Sequence, residues 1–272
     1  MYSTVGKIQK PISVVDLARM KSSNQKITCL TAYDASFARV LDSVGIDIVL
    51  VGDSLGSVIQ GRDNTIPVTM DDMVYHTKCV SNGCIRAFIV ADLPFVSYCS
   101  PGQAVNNAAR LMREGNARMV KLEGGRQRVE IVEALVSEGI PVCAHLGLLP
   151  QSINQLGSYR VQGKDSKTAQ LILDDALILQ EAGASLLVLE CIPALLANEI
   201  TQGLKIPTIG IGAGANCDGQ VLVLYDMLGI SIGGSPKFSK NFMLDAGNVM
   251  DAVNAYASAV RQGDFPQNEH CF

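Results

Sequence analysis

The feature that most constrains this chain is a repeated pattern in which a short apolar run is followed by a longer, helix-like segment. The runs are rich in Val, Ile and Leu, and each ends near a polar residue or a glycine. Continuous apolar runs of this length are typical of parallel strands that are buried on both faces. The predicted strands are Ile27–Leu30, Ile48–Val51, Ala87–Ala91, Met119–Leu122, Val142–Ala144, Leu186–Leu189 and Thr208–Ile211, with a less distinct eighth somewhere in Val221–Ile230.

The segments between these strands carry helix boundary signals. In one of them Ser100 is suited to cap a helix, Pro101 stands at the first helical position, and Gly115 supplies a stop. The segments predicted to be helical in this way are Pro101–Glu114, Gln127–Ser137 and Thr168–Glu181.

Two further segments flank the repeat. Ser13–Lys21 predicts a short amphipathic helix with Ser13 as its N-cap, placed to close the bottom of a barrel. Asn241–Arg261, after the last unit, predicts one or two helices with Ala and Val on one face.

Alternating strand and helix units predict a parallel sheet of the α/β class. Eight such units favour a (β/α)8 TIM barrel, whose usual length of about 250 residues is close to that of this 272-residue chain. The competing architecture is a doubly wound open sheet. Because no low-complexity linker interrupts the pattern, residues 1–272 are predicted to form one barrel domain.

The composition of the chain limits which binding partners and which cellular compartment are expected. Charged residues make up only 18% of the chain, which indicates surface buried against other subunits. The net charge of -4, without runs of like charge, argues against nucleic acid or an anionic membrane as a partner. No apolar stretch predicts a membrane span, and Met1–Lys10 lacks the apolar core of a secretory signal. The 8 scattered cysteines, with no C-x-x-C pair, are typical of reduced thiols, so we expect a cytoplasmic protein.

Chemically active side chains stand at or just past the predicted strands. The carboxyl ends of the strands of a parallel barrel surround one mouth, where active sites lie. Since surface charges have no reason to accumulate at buried strand ends, we expect these side chains to converge. They are Asp53, Asp92, Lys121, Glu123, His145 and Glu190.

Three of the carboxylates follow successive strands. Asp53, Asp92 and Glu123 would repel one another in one concave site, and a divalent cation would remove that cost. Hard oxygen ligands suit Mg²⁺ rather than zinc. The alternative is that each acid only caps the helix that follows it.

The remaining three side chains each have two interpretations. Lys121 would hold a substrate carboxylate or simply balance the carboxylates. Glu190 follows a very apolar run and would act as a general base or pair with a nearby lysine. His145 would contact substrate or be a structural histidine.

The segment Ile209–Gly214 is a glycine-rich turn after a strand. It would either cradle a phosphate through its backbone N–H groups or mark a place where only glycine fits. A G-x-G pattern alone does not decide between the two, and the spacing of a full dinucleotide fingerprint is missing.

Nine motifs, in order and from about Ile27 to the C-terminal tail, together resemble the ketopantoate hydroxymethyltransferase family. They are Thr31–Asp34, Leu50–Gly56, Ile66–Thr69, Ala91–Phe95, Val120–Gly125, His145–Leu148, Leu187–Cys191, Ile209–Gly214 and Pro236–Phe238. The resemblance implies a barrel of the phosphoenolpyruvate/pyruvate type, usually assembled as a decamer. It also implies a metal-dependent transferase of pantothenate biosynthesis, in which methylene-tetrahydrofolate hydroxymethylates 3-methyl-2-oxobutanoate through a Mg²⁺-stabilised enolate.

The same resemblance assigns roles to matching residues. Asp53 and Asp92 would bind Mg²⁺ and thereby the substrate, with Glu123 in the metal shell directly or through water. Ser54 and Lys121 would bind the keto-acid carboxylate and His145 would lie near the substrate oxygens. Glu190 would be the proton acceptor.

The sequence departs from the family pattern at three positions, Ala144, Leu149 and Ser235. None coincides with an implied metal ligand or base, so they affect pocket shape rather than the reaction. Two other functions are alternatives to the transferase. A metal-dependent oxo-acid lyase or mutase of the same barrel group would carry a Cys- or Asp-rich acid loop, which is missing. A non-catalytic metabolite-binding barrel would have lost some of the implied ligand positions, and all are present.

Overall fold

The computed structural model describes residues 10–232 and 234–272, so the expectation about a secretory signal in Met1–Lys10 falls almost wholly outside it. Eight parallel strands form a closed barrel in chain order, in which β8 pairs with β1. The predicted (β/α)8 barrel is therefore confirmed. The strands are β1 Ile27–Thr31, β2 Ile48–Val51, β3 Phe88–Asp92, β4 Met119–Glu123, β5 Val142–Gly147, β6 Leu186–Glu190, β7 Thr208–Ile211 and β8 Gly219–Leu222.

Helices follow most of the strands and cover the outside of the barrel, whereas β7 and β8 are joined by a segment without a helix. The α-helices are α1 Val14–Ser22, α2 Ala35–Val44, α3 Leu55–Val58, α4 Met70–Gly83, α5 Pro101–Arg113, α6 Val129–Ser137, α7 Ile153–Leu156, α8 Ser166–Glu181, α9 Ala194–Gly203, α10 Leu224–Met227 and α11 Val249–Gln262. Short 3₁₀ turns occupy Arg126–Arg128, Pro150–Ser152 and Asn268–His270. The predicted start of α5 is confirmed, because the Ser100 side chain accepts a hydrogen bond from the backbone N–H of Gln103.

The eighth strand lies earlier in the sequence than the predicted region Val221–Ile230. It begins at Gly219, and the region after Leu222 forms α10 instead. Neither Gly219 nor Gln220 looks like a buried strand residue, which explains the error. Glycine is required at 219 because a Cβ atom there would lie 2.3 Å from the carbonyl oxygen of Ile27 on the paired strand β1.

The prediction of one or two helices in the C-terminal tail is confirmed by a single helix that buries Ala and Val on one face. Only α11 forms within Asn241–Arg261, and the residues from 241 to 248 are turns. Asn248 caps the helix by accepting a hydrogen bond from the backbone N–H of Asp251, which fixes the start at Val249.

Two apolar layers account for the continuous hydrophobic runs. Alternate strand residues such as Cys29 and Ile48 point into the barrel, whereas their neighbours such as Leu30 and Val49 pack under the surrounding helices. Leu17 and Met20 of α1 belong to the interior layer, so the predicted helix that closes the barrel bottom is confirmed. In the described part of the chain, no helix has the length and apolar character needed to cross a membrane.

Candidate active site at the carboxyl ends of the strands

The barrel brings the sequence-predicted site residues together. Six of them lie in β3–β6 or directly after β2, and Ser54 follows Asp53. They all face one small cavity of about 110 Å³, which we call the inner cavity. The predicted residues that line it are Asp53, Ser54, Asp92, Lys121, Glu123, His145 and Glu190.

Asp92 and Lys121 form the best-defined contact in the inner cavity. They are register partners on β3 and β4, and Lys121 Nζ donates to Asp92 Oδ1 at 2.9 Å. The second oxygen, Asp92 Oδ2, accepts a hydrogen bond from the backbone N–H of Asp53 at 3.1 Å. Burial alone would lower the pKa of Lys121, but the nearby carboxylates of Asp92, Glu123 and Asp53 raise it above its ordinary value. Lys121 is therefore held as a cation.

The pKa of Asp53 shows most clearly that negative charge is crowded in the inner cavity. Burial, together with the carboxylates of Asp92 and Glu123, raises the pKa of Asp53 from 3.8 to about 8. Since a shift in this direction means that ionisation is costly, the site has less positive charge than its carboxylates require. A bound cation would relieve this cost.

His145 lies between two carboxylates. Its Nδ1 is 3.5 Å from Glu123 Oε1 and its Nε2 is 3.2 Å from Glu190 Oε2, and neither contact has the angles of a good hydrogen bond. Burial and Lys121 lower the pKa of His145, but Glu123 and Glu190 outweigh them and raise it to about 9. The negative charge of the two glutamates on either side of the imidazole therefore favours its protonated form.

Ser54 lies at the rim of the inner cavity, where its hydroxyl is 2.8 Å from the hydroxyl of Tyr33. Tyr33 is almost fully buried, so it holds the serine side chain in place from behind. Tyr33 belongs to a family-like motif but had no predicted role.

Gln151 is the most important residue that sequence reasoning missed. Its side chain donates to Asp53 Oδ2 at 2.9 Å, and its backbone N–H donates to Glu123 Oε2 at 3.1 Å. Tyr98 in turn donates from its hydroxyl to Gln151 Oε1 at 2.5 Å. Gln151 thus positions two carboxylates that come from different strands. The available signal was a polar residue directly after Pro150, in the loop that follows β5.

Thr65 was also missed. Its hydroxyl lines the inner cavity, is buried, and finds no hydrogen-bond partner among the described residues. Because buried polar groups are usually hydrogen-bonded, this hydroxyl is suited to contact a bound molecule. Its position in the loop between α3 and α4 gave no sequence signal.

The residues fit a hard divalent cation in charge and in ligand type. Four carboxylates, from Asp53, Asp92, Glu123 and Glu190, face two basic groups in the inner cavity. Oxygen donors of this kind suit Mg²⁺. Within residues 10–232 and 234–272, no group of three or more His, Cys, Asp or Glu side chains is arranged around a common metal position. A site in which two or three carboxylates are ligands leaves positions for substrate and water, as Mg²⁺ commonly permits.

The packing of the glycine-rich turn supports close approach rather than phosphate binding. Gly212 has a φ of 60°, and a Cβ atom there would lie 3.1 Å from atoms of both Phe238 and Phe272. Gly214 has a φ of 84°, and a Cβ atom there would lie 2.6 Å from the Cβ of Ala194. These glycines let side chains pack directly on the turn.

The fold is similar to that of several solved enzyme structures. One is a 2,3-dimethylmalate lyase described as a member of the PEP mutase/isocitrate lyase superfamily, with a TM-score of 0.57, 20% identity and coverage of 78% of this chain and 81% of that one. Another is a phosphonopyruvate hydrolase in complex with oxalate and Mg²⁺, with a TM-score of 0.60, 11% identity and coverage of 77% and 80%. At these identities the likeness shows the fold alone.

Sequence relatives are much more similar. A 3-methyl-2-oxobutanoate hydroxymethyltransferase of Nitrosococcus oceani is 60% identical over 255 residues, covering 94% of this chain and 97% of the relative. The enzyme of the same name from Idiomarina loihiensis is 56% identical over 260 residues, covering 96% and 97%. The family model for ketopantoate hydroxymethyltransferase matches residues 11–268. The chain therefore belongs to the ketopantoate hydroxymethyltransferase family.

Proposed function

We propose that this protein transfers a hydroxymethyl group from methylene-tetrahydrofolate to 3-methyl-2-oxobutanoate, giving ketopantoate for pantothenate synthesis. The observation that carries the proposal is the convergence of Asp53, Asp92, Lys121, Glu123 and Glu190 on one cavity in a chain that is 54–60% identical to enzymes of this name. The lyase or mutase alternative is supported only by structures at 11–20% identity, which share the fold.

We assign the metal to the acidic wall of the inner cavity. Asp53 and Asp92 would be direct ligands, with Glu123 acting directly or through water. Gln151 holds Asp53 and Glu123 from behind, because it donates to one oxygen of each. A bound Mg²⁺ would supply Lewis-acid stabilisation of negative charge on the keto oxygen of the substrate.

Positively charged and polar groups of the same cavity would orient the keto acid. Lys121, held as a cation by its buried neighbours, and Ser54, backed by Tyr33, would bind the substrate carboxylate. The unpartnered hydroxyl of Thr65 would add a further hydrogen bond. The imidazolium of His145 would lie near the substrate oxygens.

Glu190 would remove the C3 proton. It lies at the end of β6, faces the inner cavity, and contacts His145 through one oxygen, which leaves the other for the substrate. Loss of the proton gives an enolate, whose carbon forms a bond to the methylene carbon of the donor. The two C–N bonds of that methylene break, and water supplies the hydroxyl oxygen. One released folate nitrogen takes a proton from this water and the other takes the proton held by Glu190, so that ketopantoate and tetrahydrofolate leave.

The experiment that tests the proposal separates proton removal from group transfer. Purified protein is mixed with 3-methyl-2-oxobutanoate in D2O, with and without Mg²⁺, and loss of the C3 proton is followed by NMR. We expect metal-dependent exchange, a fall of about 10²–10⁴-fold in Glu190→Gln, and ketopantoate only after methylene-tetrahydrofolate is added. Absence of both exchange and product in the wild type would overturn the proposal.

A further inference from the structure

A second, larger cavity adjoins the proposed base on the side away from the metal ligands. This outer cavity has a volume of about 720 Å³, and both it and the inner cavity are lined by Glu190 and Phe238. Building on the proposed function, we propose that the outer cavity binds the one-carbon donor as a reduced folate. Its pterin ring would pack against Tyr159, Phe238 and Phe272, and its glutamate carboxylates would lie at Arg160.

The sizes and positions of the two cavities match the two substrates. The inner cavity, about 110 Å³, borders the acidic cluster, and the outer one is more than six times larger. Cavities that hold compounds of drug or cofactor size measure about 300–1,000 Å³. Because the new carbon–carbon bond forms where Glu190 removes a proton, the donor must occupy space that reaches Glu190, and the outer cavity does.

The lining of the outer cavity offers aromatic faces to a flat ring. The side chains of Tyr159 and Phe272 are partly open, at 57% and 37% exposure, although both line a concave site. Lys237 Nζ lies 4.6 Å from the centre of the Phe272 ring and donates to the Cys271 carbonyl at 2.7 Å, which holds that ring in place. Aromatic rings stack well on flat heterocycles.

The glycine-rich turn packs against two of the aromatic residues that line the outer cavity. A side chain at position 212 would push away both Phe238 and Phe272, since a Cβ atom there would lie 3.1 Å from the Cβ of Phe238 and 3.1 Å from the ring of Phe272. Glycine at this position therefore permits the aromatic wall between the barrel mouth and the outer cavity.

Charged groups in the outer cavity complement the polar parts of a reduced folate. Arg160 lines the cavity and is steadied by a hydrogen bond from its Nε to Ser158 Oγ at 2.6 Å. Its guanidinium matches the carboxylates of the glutamate tail. The carboxylate of Asp63, also in the lining, matches the amino group and ring N–H of a pterin, which donate side by side.

Two substitutions of exposed residues, Tyr159→Ala and Arg160→Ala, test whether the outer cavity binds the reduced folate. We expect each to raise the KM for methylene-tetrahydrofolate and the calorimetric Kd for tetrahydrofolate by about tenfold. Metal-dependent C3 exchange without folate should stay within twofold of the wild type, because it uses only the inner cavity. Tyr75→Ala is the matched control, since Tyr75 is a 65% exposed tyrosine on α4 and lies outside the cavity lining.

The outcomes separate this inference from the proposed function. If the wild type exchanges the proton and makes ketopantoate but both variants bind tetrahydrofolate normally, the donor lies elsewhere and the inference is wrong. Loss of C3 exchange in the variants would also overturn it, because the cavity would then serve the keto acid. Tetrahydrofolate binding to the wild type is measured independently of exchange, so its absence overturns the inference even if the proposed function fails.

Discussion

The two ends of the barrel interior differ sharply although the same strands build both. At the bottom, Leu17 and Met20 of α1 pack in a buried apolar cluster with strand residues such as Ile27 and Ile48. At the mouth, the same strands end in buried carboxylates, a lysine and a histidine. Burial of apolar surface stabilises the fold, whereas burial of like charges costs free energy that a ligand can offset. The apolar contacts that stabilise the fold are therefore concentrated at the bottom of the barrel. The side chains suited to chemistry lie at its mouth.

The largest expected effect tests the bottom of the barrel. Leu17→Ala should lower the free energy of unfolding by about 2–5 kcal/mol, because it removes a fully buried side chain from the layer that closes the barrel. Chemical denaturation measures this change. The matched control is Val15→Ala in the same helix, where the side chain is 66% exposed and the change should stay within about 0.5 kcal/mol. Equal effects of both variants would contradict the assignment of the closing layer.

The next effect concerns the charge at the mouth. Because the pKa of Asp53 is raised to about 8, this carboxyl group stays protonated below that pH in the metal-free protein. Ionisation of the buried group lowers the free energy of unfolding, so the stability of the fold falls as the pH rises through about 8. A Mg²⁺ ion at Asp53 must displace that proton, so its affinity should increase by about 50-fold between pH 6 and pH 8. Calorimetric titrations at several pH values measure the slope.

Asp53→Asn provides the control for this pH dependence. The variant has no proton to displace at that position, so any remaining Mg²⁺ binding should be weak and nearly independent of pH over the same range. A wild-type affinity that does not change with pH would mean that Asp53 is not a metal ligand.

The smallest of the three effects tests how the mouth is held in place. Gln151→Leu removes the amide that donates to Asp53 while keeping a similar volume. We expect Mg²⁺ affinity to fall roughly tenfold, as is usual for groups that orient metal ligands. Gln170→Leu on the exposed surface of α8 is the control and should leave the affinity unchanged. Unchanged affinity in both variants would show that Gln151 only fills space.

Prediction from the sequence succeeded where local signals were strong. Seven strands lay where the apolar runs indicated, and the cap at Ser13 formed as expected. The eighth strand failed because Gly219 and Gln220 are placed by their partner strand, not by hydrophobicity. The predicted homo-oligomer, decameric by resemblance, and the cytoplasmic location stay predictions, which sedimentation and cell fractionation would check.

The sequence by itself determined the barrel and the set of strand-end residues, because apolar periodicity and the common mouth of parallel strands are local and topological rules. Only the tertiary structure decided how those residues interact. Gln151 reaches Asp53 across 98 positions of the chain, and the raised pKa of Asp53 depends on carboxylates from two other strands. Distances and burial of this kind arise when distant segments close on one another, and no local pattern encodes them.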